Sequence, residues 1–528
     1  KNKATISTFI HGLLQMTPMK YNLPSYSFVS HSDTYHNRVK TKDLSYNVDA
    51  SYTVNTHNLF GFYVNGYDQK VDHNVGNTLA VTRNDISSPA LLSTQVIEDK
   101  PSQISGGLNY KYERESGLVI KSMVDYAREY GTTNTGIVET DDQTKAAYPM
   151  KSYSRLSDDI FSSKLDFSLP AAKLKGTFDF GAKYSYCYIK NINDFRRWNS
   201  SGSWVVDDAL SNILHFREQI MAGYLTFSRQ WKHFYYAAGL RVESSFTSNK
   251  SDMNDNYQKG TRLFPNIAFS YKSKTADYKL SYNKRITRPD YSSLNASVLY
   301  HDSLSTSQGN PELKATIYNT IAFSLLYMRK INFGMSYVFI QSPQDWLNIN
   351  DKDNVERYTN YKVNTKKTYA VTSDLGGNFT VGRWSMQPTI VFLYRPYTIV
   401  DNGEEFSFKR CQYRINWTNQ ITLNHDWSID ADANFYKPGY SFTAFNHQLY
   451  LDLGVSKSLF DHRLFLQASV YRSFFNWKQS YDYSYKYYDA EFVDNDRFYC
   501  KFSLKYNLGV RHIRKNKSNQ EELNRLGN

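Results

Sequence analysis

The sequence predicts an all-β fold: a transmembrane antiparallel β-barrel of about twenty strands. Three observations predict it. Segments of about ten to sixteen residues alternate apolar with polar side chains, as half-buried strands do. Tight and wide connections follow one another in strict turn. No stretch approaches the ~18 consecutive apolar residues of a spanning helix, so a helical route through a bilayer is excluded.

The alternation is legible strand by strand. Leu44, Tyr46, Val48, Ala50, Tyr52 and Val54 share one parity, and Asp43, Ser45, Asn47, Asp49, Ser51 and Thr53 the other. Side chains on a strand point to opposite faces with period two, so one face is apolar and the other wet. Leu174, Phe178, Phe180, Ala182, Tyr184, Tyr186 and Tyr188 oppose Lys175, Thr177, Asp179, Lys183 and Ser185 in the same way. Phe234, Tyr236, Ala238, Leu240, Val242 and Phe246 oppose His233, Arg241, Glu243 and Ser245. Near the end, Phe498, Cys500, Phe502, Leu504, Tyr506 and Leu508 oppose Lys501, Ser503, Lys505 and Asn507. A charged inner row of this kind suits a lumen that holds water or a plug.

The tight connections are Asn55–Asn58, Arg114–Ser116, Pro170–Lys173, Arg229–Lys232, Ser273–Asp277, Arg329–Lys330, Gly382–Arg383, Asn424–Asp426 and Phe460–His462. The wide ones are Met16–Lys40, Asp68–Gln103, Thr132–Leu156, Lys190–Leu214, Ser248–Thr261, Thr287–Leu313, Gln341–Lys366, Pro396–Glu405, Lys437–Thr443 and Gln479–Asp489. A soluble β-protein has no reason to keep long connections on every second turn. A bacterial outer-membrane barrel does, with short periplasmic turns and long external loops. Nine tight turns give eighteen strands; a first strand over Thr5–Leu14 and a last over Phe498–Gly509 make twenty. Both chain ends then fall on the periplasmic side. The expected organisation is a barrel over 1–510 and a basic, polar tail over 511–528.

Composition agrees. The 528 residues show no linker or compositional break that would divide them into soluble domains. The 45 tyrosines cluster where segments begin and end, as at Tyr184–Tyr188 and Tyr235–Tyr236. An interfacial aromatic girdle explains this better than strand propensity alone. The net charge of +13 is spread over strands and loops without a basic arm, which argues against nucleic acid and favours anionic lipid headgroups or an anionic solute. Cys187, Cys411 and Cys500 are odd in number and far apart, so small fillers rather than a disulfide framework are expected.

The stretch Tyr282–Leu313 carries a family resemblance. It reads Arg285-Ile286-Thr287-Arg288-Pro289-Asp290-Tyr291, then Leu294-Asn295, then Gly309-Asn310-Pro311-Glu312-Leu313-Lys314. This resembles a mid-barrel segment of TonB-dependent outer-membrane receptors, and Tyr358-Thr359-Asn360-Tyr361 resembles the family's next recurring piece. The tail, with Glu521-Glu522-Leu523-Asn524-Arg525-Leu526, resembles the Bacteroidota outer membrane β-barrel branch. One departure stands out: the family follows Gly-Asn-Pro with Leu-x-Pro-Glu, whereas Leu313 is followed by Lys314-Ala315-Thr316.

The resemblance implies import of a siderophore chelate, glycan or peptide. External loops would capture the ligand, and energy would be relayed by the TonB system through a plug. It implies 22 strands and a periplasmic plug in the intact fold. No plug-like stretch is read here, and Lys1 opens inside an alternating segment, so an upstream plug and two strands are expected to be missing. The expected partners are outer-membrane lipid, the TonB system and, as in some related systems, a surface lipoprotein.

No catalytic constellation, metal-ligand spacing or cofactor motif occurs, so no enzyme activity is expected. The candidate ligand contacts are Arg196, Arg197, Trp198 and Trp204 in one external loop, with Arg288 and Tyr291 in the motif stretch. Tryptophan and arginine together suit stacking on sugar rings or gripping a polyanion. Packing of loops on one another over the barrel mouth is the stronger expectation for them. A plugless pore or the barrel of a secretion or surface-assembly machine shares every feature above and stands as the alternative.

Overall fold

Where the sequence alternates, the chain forms strands. The computed structural model describes residues 14–23, 26–83, 86–87, 91–251, 255–351, 357–401, 404–437, 439–440, 443–445, 447–473, 479–485, 488–494 and 499–506. The first expected strand, before Leu14, and the tail at 511–528 lie outside them.

The main sheet has 27 strands among the described residues. Seven are short pieces and the other twenty build the wall. In chain order these are β1 (Leu14–Leu23), β2 (Tyr26–Thr53), β3 (Asn58–Arg83), β4 (Leu91–Glu113), β5 (Val119–Asp141), β6 (Ala147–Ala171) and β7 (Gly176–Trp198). Next come β8 (Asn212–Trp231), β9 (Phe234–Ser251), β10 (Asp255–Lys272), β11 (Ala276–Thr287), β12 (Thr316–Tyr327), β13 (Ile331–Gln341) and β14 (Thr368–Gly377). The wall ends with β15 (Trp384–Asp401), β16 (Glu404–Thr422), β17 (Trp427–Lys437), β18 (Gln448–Leu459), β19 (Leu464–Ser473) and β20 (Tyr499–Tyr506). Each wall strand pairs antiparallel with its sequence neighbour, as β4 does with β5 from Leu91↔Asp141 to Glu113↔Val119. The piece Tyr488–Asp494 pairs with β1 and carries the ladder back to the start.

Register puts the two parities on opposite faces all round the wall. Leu108↔Val124, Leu225↔Leu240, Ile321↔Tyr337 and Ile390↔Ile415 belong to one apolar face. Its large side chains are exposed, as lipid-facing residues are in a chain taken alone. The other face carries Asp125, Glu129, Lys183, Glu218 and Glu243 and lines the lumen. At the turn end, Trp231, Phe234, Tyr271 and Tyr278 stack in sequence, an aromatic girdle at that interface. Cys187 is buried on the inner face, while Cys411 and Cys500 are exposed.

Two devices lock neighbouring strands on the inner face. Tyr63 of β3 lies over Gly107 of β4, and its hydroxyl donates to Asp125 of β5 at 2.8 Å. Tyr224 of β8 lies over Gly181 of β7 and donates to Asp166 of β6. A Cβ at either glycine would collide with the tyrosine. Each brace therefore needs a glycine under the ring.

The nine tight turns form where the sequence places them, but the wide connections need correction. Most of Asp68–Gln103 and Thr132–Leu156 is strand, paired through Val71↔Asp99 and Thr132↔Arg155. Met16–Lys40 and Lys190–Leu214 likewise hold strand over much of their length. The apolar alternation stops where the bilayer stops, but hydrogen bonding between neighbouring strands does not. The strands therefore run on as paired, polar hairpins. Two wide connections do leave the wall, at 288–315 and 342–367.

Candidate ligand-facing site in the barrel mouth

These two connections fold inward and meet. They form a four-stranded sheet from Val298–Tyr300, Ser305–Gln308, Gln344–Asn350 and Tyr358–Asn364, joined by one parallel pairing between Ser305–Gln308 and Tyr358–Tyr361. The sheet rests on the inner face of the wall. Tyr291, Leu294 and Leu313 pack on Ala127, Ile160, Cys187, Ile189 and Phe216, which come from β5, β6, β7 and β8. Higher up, Val298 and Tyr300 pack on Ile137, Met150, Phe195 and Leu210. The Tyr300 hydroxyl donates to Glu139 of β5 at 2.9 Å. Burial, with Glu139 beside it, holds this phenol in its neutral form and raises its pKa.

At the base sits an ion cluster. The Arg288 guanidinium bonds Glu243 of β9 and lies 3.7 Å from Glu218 of β8, and Arg241 pairs with Glu243 at 2.6 Å. Arg288 is 10% exposed and the two carboxylates 5% or less, so the cluster is sheltered from solvent screening. Wall amides then hold the loop backbone. Asn249 donates to the Leu294 carbonyl and Asn256 to the Pro311 carbonyl, both at 2.9 Å. Lys362 of the second connection reaches back to Ser293 at 2.8 Å and to Asp290 at 3.6 Å. Beside this clasp lies a cavity of about 520 Å³ whose lining includes Glu218, Asn249, Gln258, Arg262 and Arg288.

The Gly309-Asn310-Pro311 motif is explained by this docking. A side chain at Gly309 would meet the carbonyls of Ser292, Ser293 and Asn295, so close backbone approach demands glycine there. Asn310 ties both connections together: its backbone N–H donates to the Ser293 carbonyl at 2.7 Å and its side chain to the Lys362 carbonyl at 3.0 Å.

The six candidate contacts divide. Arg288 and Tyr291 are buried in the clasp, with the Tyr291 hydroxyl 3.4 Å from Glu218. The other four lie at the tip of β7 and the short strand Trp204–Val206. Trp198 and Trp204 meet edge to face at 5.2 Å, with Lys151 4.3 Å above the Trp204 ring. Arg196 is bidentate to Asp194. Arg197 turns the other way, pairs with Asp207 at 2.6 Å and lies 5.5 Å from the Tyr300 ring. Sequence reasoning missed Glu218, Glu243, Glu139 and Lys362. Each lies far along the chain from the partner it holds, so no local pattern marks it.

A family model described as "Outer membrane protein beta-barrel family" matches residues 112–506. No curated protein sequence matches the chain. Among solved structures, the ferric-catecholate import receptor Fiu from K12 E. coli is similar at a TM-score of 0.55 and 9% identity, over 93% of this chain and 82% of that one. The pyoverdine outer membrane receptor FpvA from Pseudomonas aeruginosa PAO1, bound to pyoverdine, is similar at 0.55 and 10% identity, over 92% and 83%. At these identities the likeness is one of fold.

Proposed function

Because the chain belongs to the outer membrane protein β-barrel family, which places it in the bacterial outer membrane, we propose that it is the barrel of a TonB-dependent receptor importing a scarce nutrient. The substrate class is a siderophore chelate, a glycan or a peptide. The observation that carries this reading is the inward-folded loop layer. A general pore needs an open mouth, whereas here two connections dock on the lumenal wall through a sheltered ion cluster and an apolar patch. The fold shared with receptors whose names record ferric-catecholate import and bound pyoverdine supports the same reading.

In this reading the Trp198–Trp204 pair, with Arg196 and Arg197, meets the ligand at the external tip. Arg288 and Tyr291 hold the loop that frames the chamber below. The test is uptake by cells carrying the intact gene, supplied in turn with labelled chelates, oligosaccharides and peptides. Deletion is expected to abolish uptake of one class, and a protonophore to abolish it equally. Uptake that survives the protonophore would mark a passive pore and overturn the proposal. Alanine at both Trp198 and Trp204 is expected to weaken uptake of that class.

A further inference from the structure

The cavity beside the clasp is built on the inner face of β9 and β10. Three antiparallel pairs climb its wall toward the rim: Ser245↔Gly260, Thr247↔Gln258 and Asn249↔Asn256. From Ser245 to Asn249 every inward side chain is therefore a hydroxyl or an amide, and Gly260 leaves open space beside them. The amide nitrogens turn to the loop. Asn249 donates to Leu294 and Asn256 to Pro311 at 2.9 Å, and Gln258 lies 3.5 Å from the Pro311 and Leu313 carbonyls. Their oxygens are left over: those of Asn256 and Gln258 accept from no described group, and Asn249 Oδ1 is buried without a partner. The ladder is thus short of donors. The apolar groups of the lining are engaged elsewhere, because Phe216, Leu294 and Leu313 are buried in the cluster that docks the loop. At about 520 Å³ the space falls in the usual range of small-molecule sites, roughly 300 to 1,000 Å³.

The other end of the cavity carries an unmatched cation. Arg241, Arg262 and Arg288 meet two carboxylates, Glu218 and Glu243. Both oxygens of Glu243 are taken, Oε1 by Arg288 and Oε2 by Arg241. Arg262 stands directly opposite Glu243 in register, half-buried, yet makes no ion pair or hydrogen bond among the described residues. Of the other charged groups along the cavity, Glu312 and Lys314 offset one another, and Lys259 has the outer parity of Phe246. One positive charge, on Arg262, remains.

We infer that the nutrient recognised in this cavity is an acidic oligosaccharide, held with its carboxylate on Arg262 and its hydroxyls along Ser245, Thr247, Asn249 and Gln258. A guanidinium fork fits a carboxylate in two parallel hydrogen bonds. Sugar hydroxyls supply the donors that the amide oxygens lack, and accept in turn from Ser245 and Thr247. A peptide would bring side chains for which the ladder has no apolar or acidic subsite. Arg262 lies four residues from Gln258, about 13 Å along the strand, so the occupant is extended, as a chain of sugar rings is. That the bound sugar is then imported rests on the receptor reading above; the binding itself does not.

The test is calorimetric titration of the full chain in detergent with digalacturonate, with its neutral counterpart digalactose and with trialanine. Digalacturonate should bind, digalactose about thirtyfold more weakly for want of the charge-assisted bond, and trialanine not measurably. Arg262→Gln should bring digalacturonate down to the level of digalactose, whereas Arg262→Lys should keep part of the difference. Thr247→Val, which keeps side-chain shape, should weaken both sugars about fivefold. Neither residue bonds the docked loop, so amide exchange at Asn310 should be unchanged in these variants and shows that the site is still folded. Equal binding of the two disaccharides, binding indifferent to Arg262→Gln, or binding of trialanine alone would overturn the inference, as would no binding at all. Energised uptake of a chelate or peptide beside such a result would leave the receptor reading standing. Uptake that survives the protonophore beside tight digalacturonate binding would do the reverse.

Discussion

Arg288 is the residue on which the mouth turns. Its guanidinium is shared between Glu218 and Glu243, and removing one partner of a sheltered pair costs more than the pair itself contributes. Arg288→Met is expected to weaken docking of the inward loop by about 3 kcal/mol. Hydrogen exchange would show it as faster exchange at the amides of Asn310 and Leu313, with wall strands unchanged; equal protection would refute the assignment. A second residue-level expectation concerns a tight turn. Met328 and Arg329 adopt φ of 50° and 57°, the left-handed region that side chains resist. Arg329→Gly should therefore raise barrel stability by about 1 kcal/mol, read from denaturant unfolding in detergent. Gly309 behaves differently. No positive φ is involved there; the glycine is required because three carbonyls crowd it. Sequence identifies the residue type there, and only the docked loop explains it.

Strands were legible where one face meets lipid and the other water. Leu44–Thr53 and Phe234–Phe246 alternate cleanly and form strands as read, with Val54 just past the end of its strand. Legibility failed beyond the bilayer, where both faces of a hairpin meet water and the alternation fades although pairing continues, as between Val71 and Asp99. It failed again for the loop sheet, whose parallel pairing joins segments some fifty residues apart. One external hairpin tip carries a turn whose order depends on pH. At the tip joining β5 to β6, the Asp141 carboxylate accepts from the Thr144 backbone N–H at 2.7 Å, from the Thr144 hydroxyl at 2.9 Å and from the Gln143 N–H at 3.0 Å. Bonds from the Thr144 N–H and then its hydroxyl hold its pKa below the ordinary 3.8. The turn's added order is thus complete above that value and is lost as pH falls through the lowered one. Amide exchange at Thr144 against pH should show this, and Asp141→Asn should remove the pH dependence.

For the whole molecule, the alternation of faces ties together location and loop docking. An inner face of Glu129, Lys183 and Glu243 is compatible with a membrane only if it encloses a lumen, and the loop layer has a place only if that lumen exists. The most direct measurement is a spin-label scan along β8 in a bilayer, one cysteine at a time from Ile220 to Leu225, with accessibility to oxygen and to a water-soluble nickel complex. Met221, Gly223 and Leu225 are expected to be oxygen-accessible and shielded from nickel, and Ile220, Ala222 and Tyr224 to be shielded from oxygen, since Ile220 and Ala222 are buried on the lumenal side. Equal accessibility at both parities would contradict a lipid-facing wall around a lumen, and with it the receptor built on that wall.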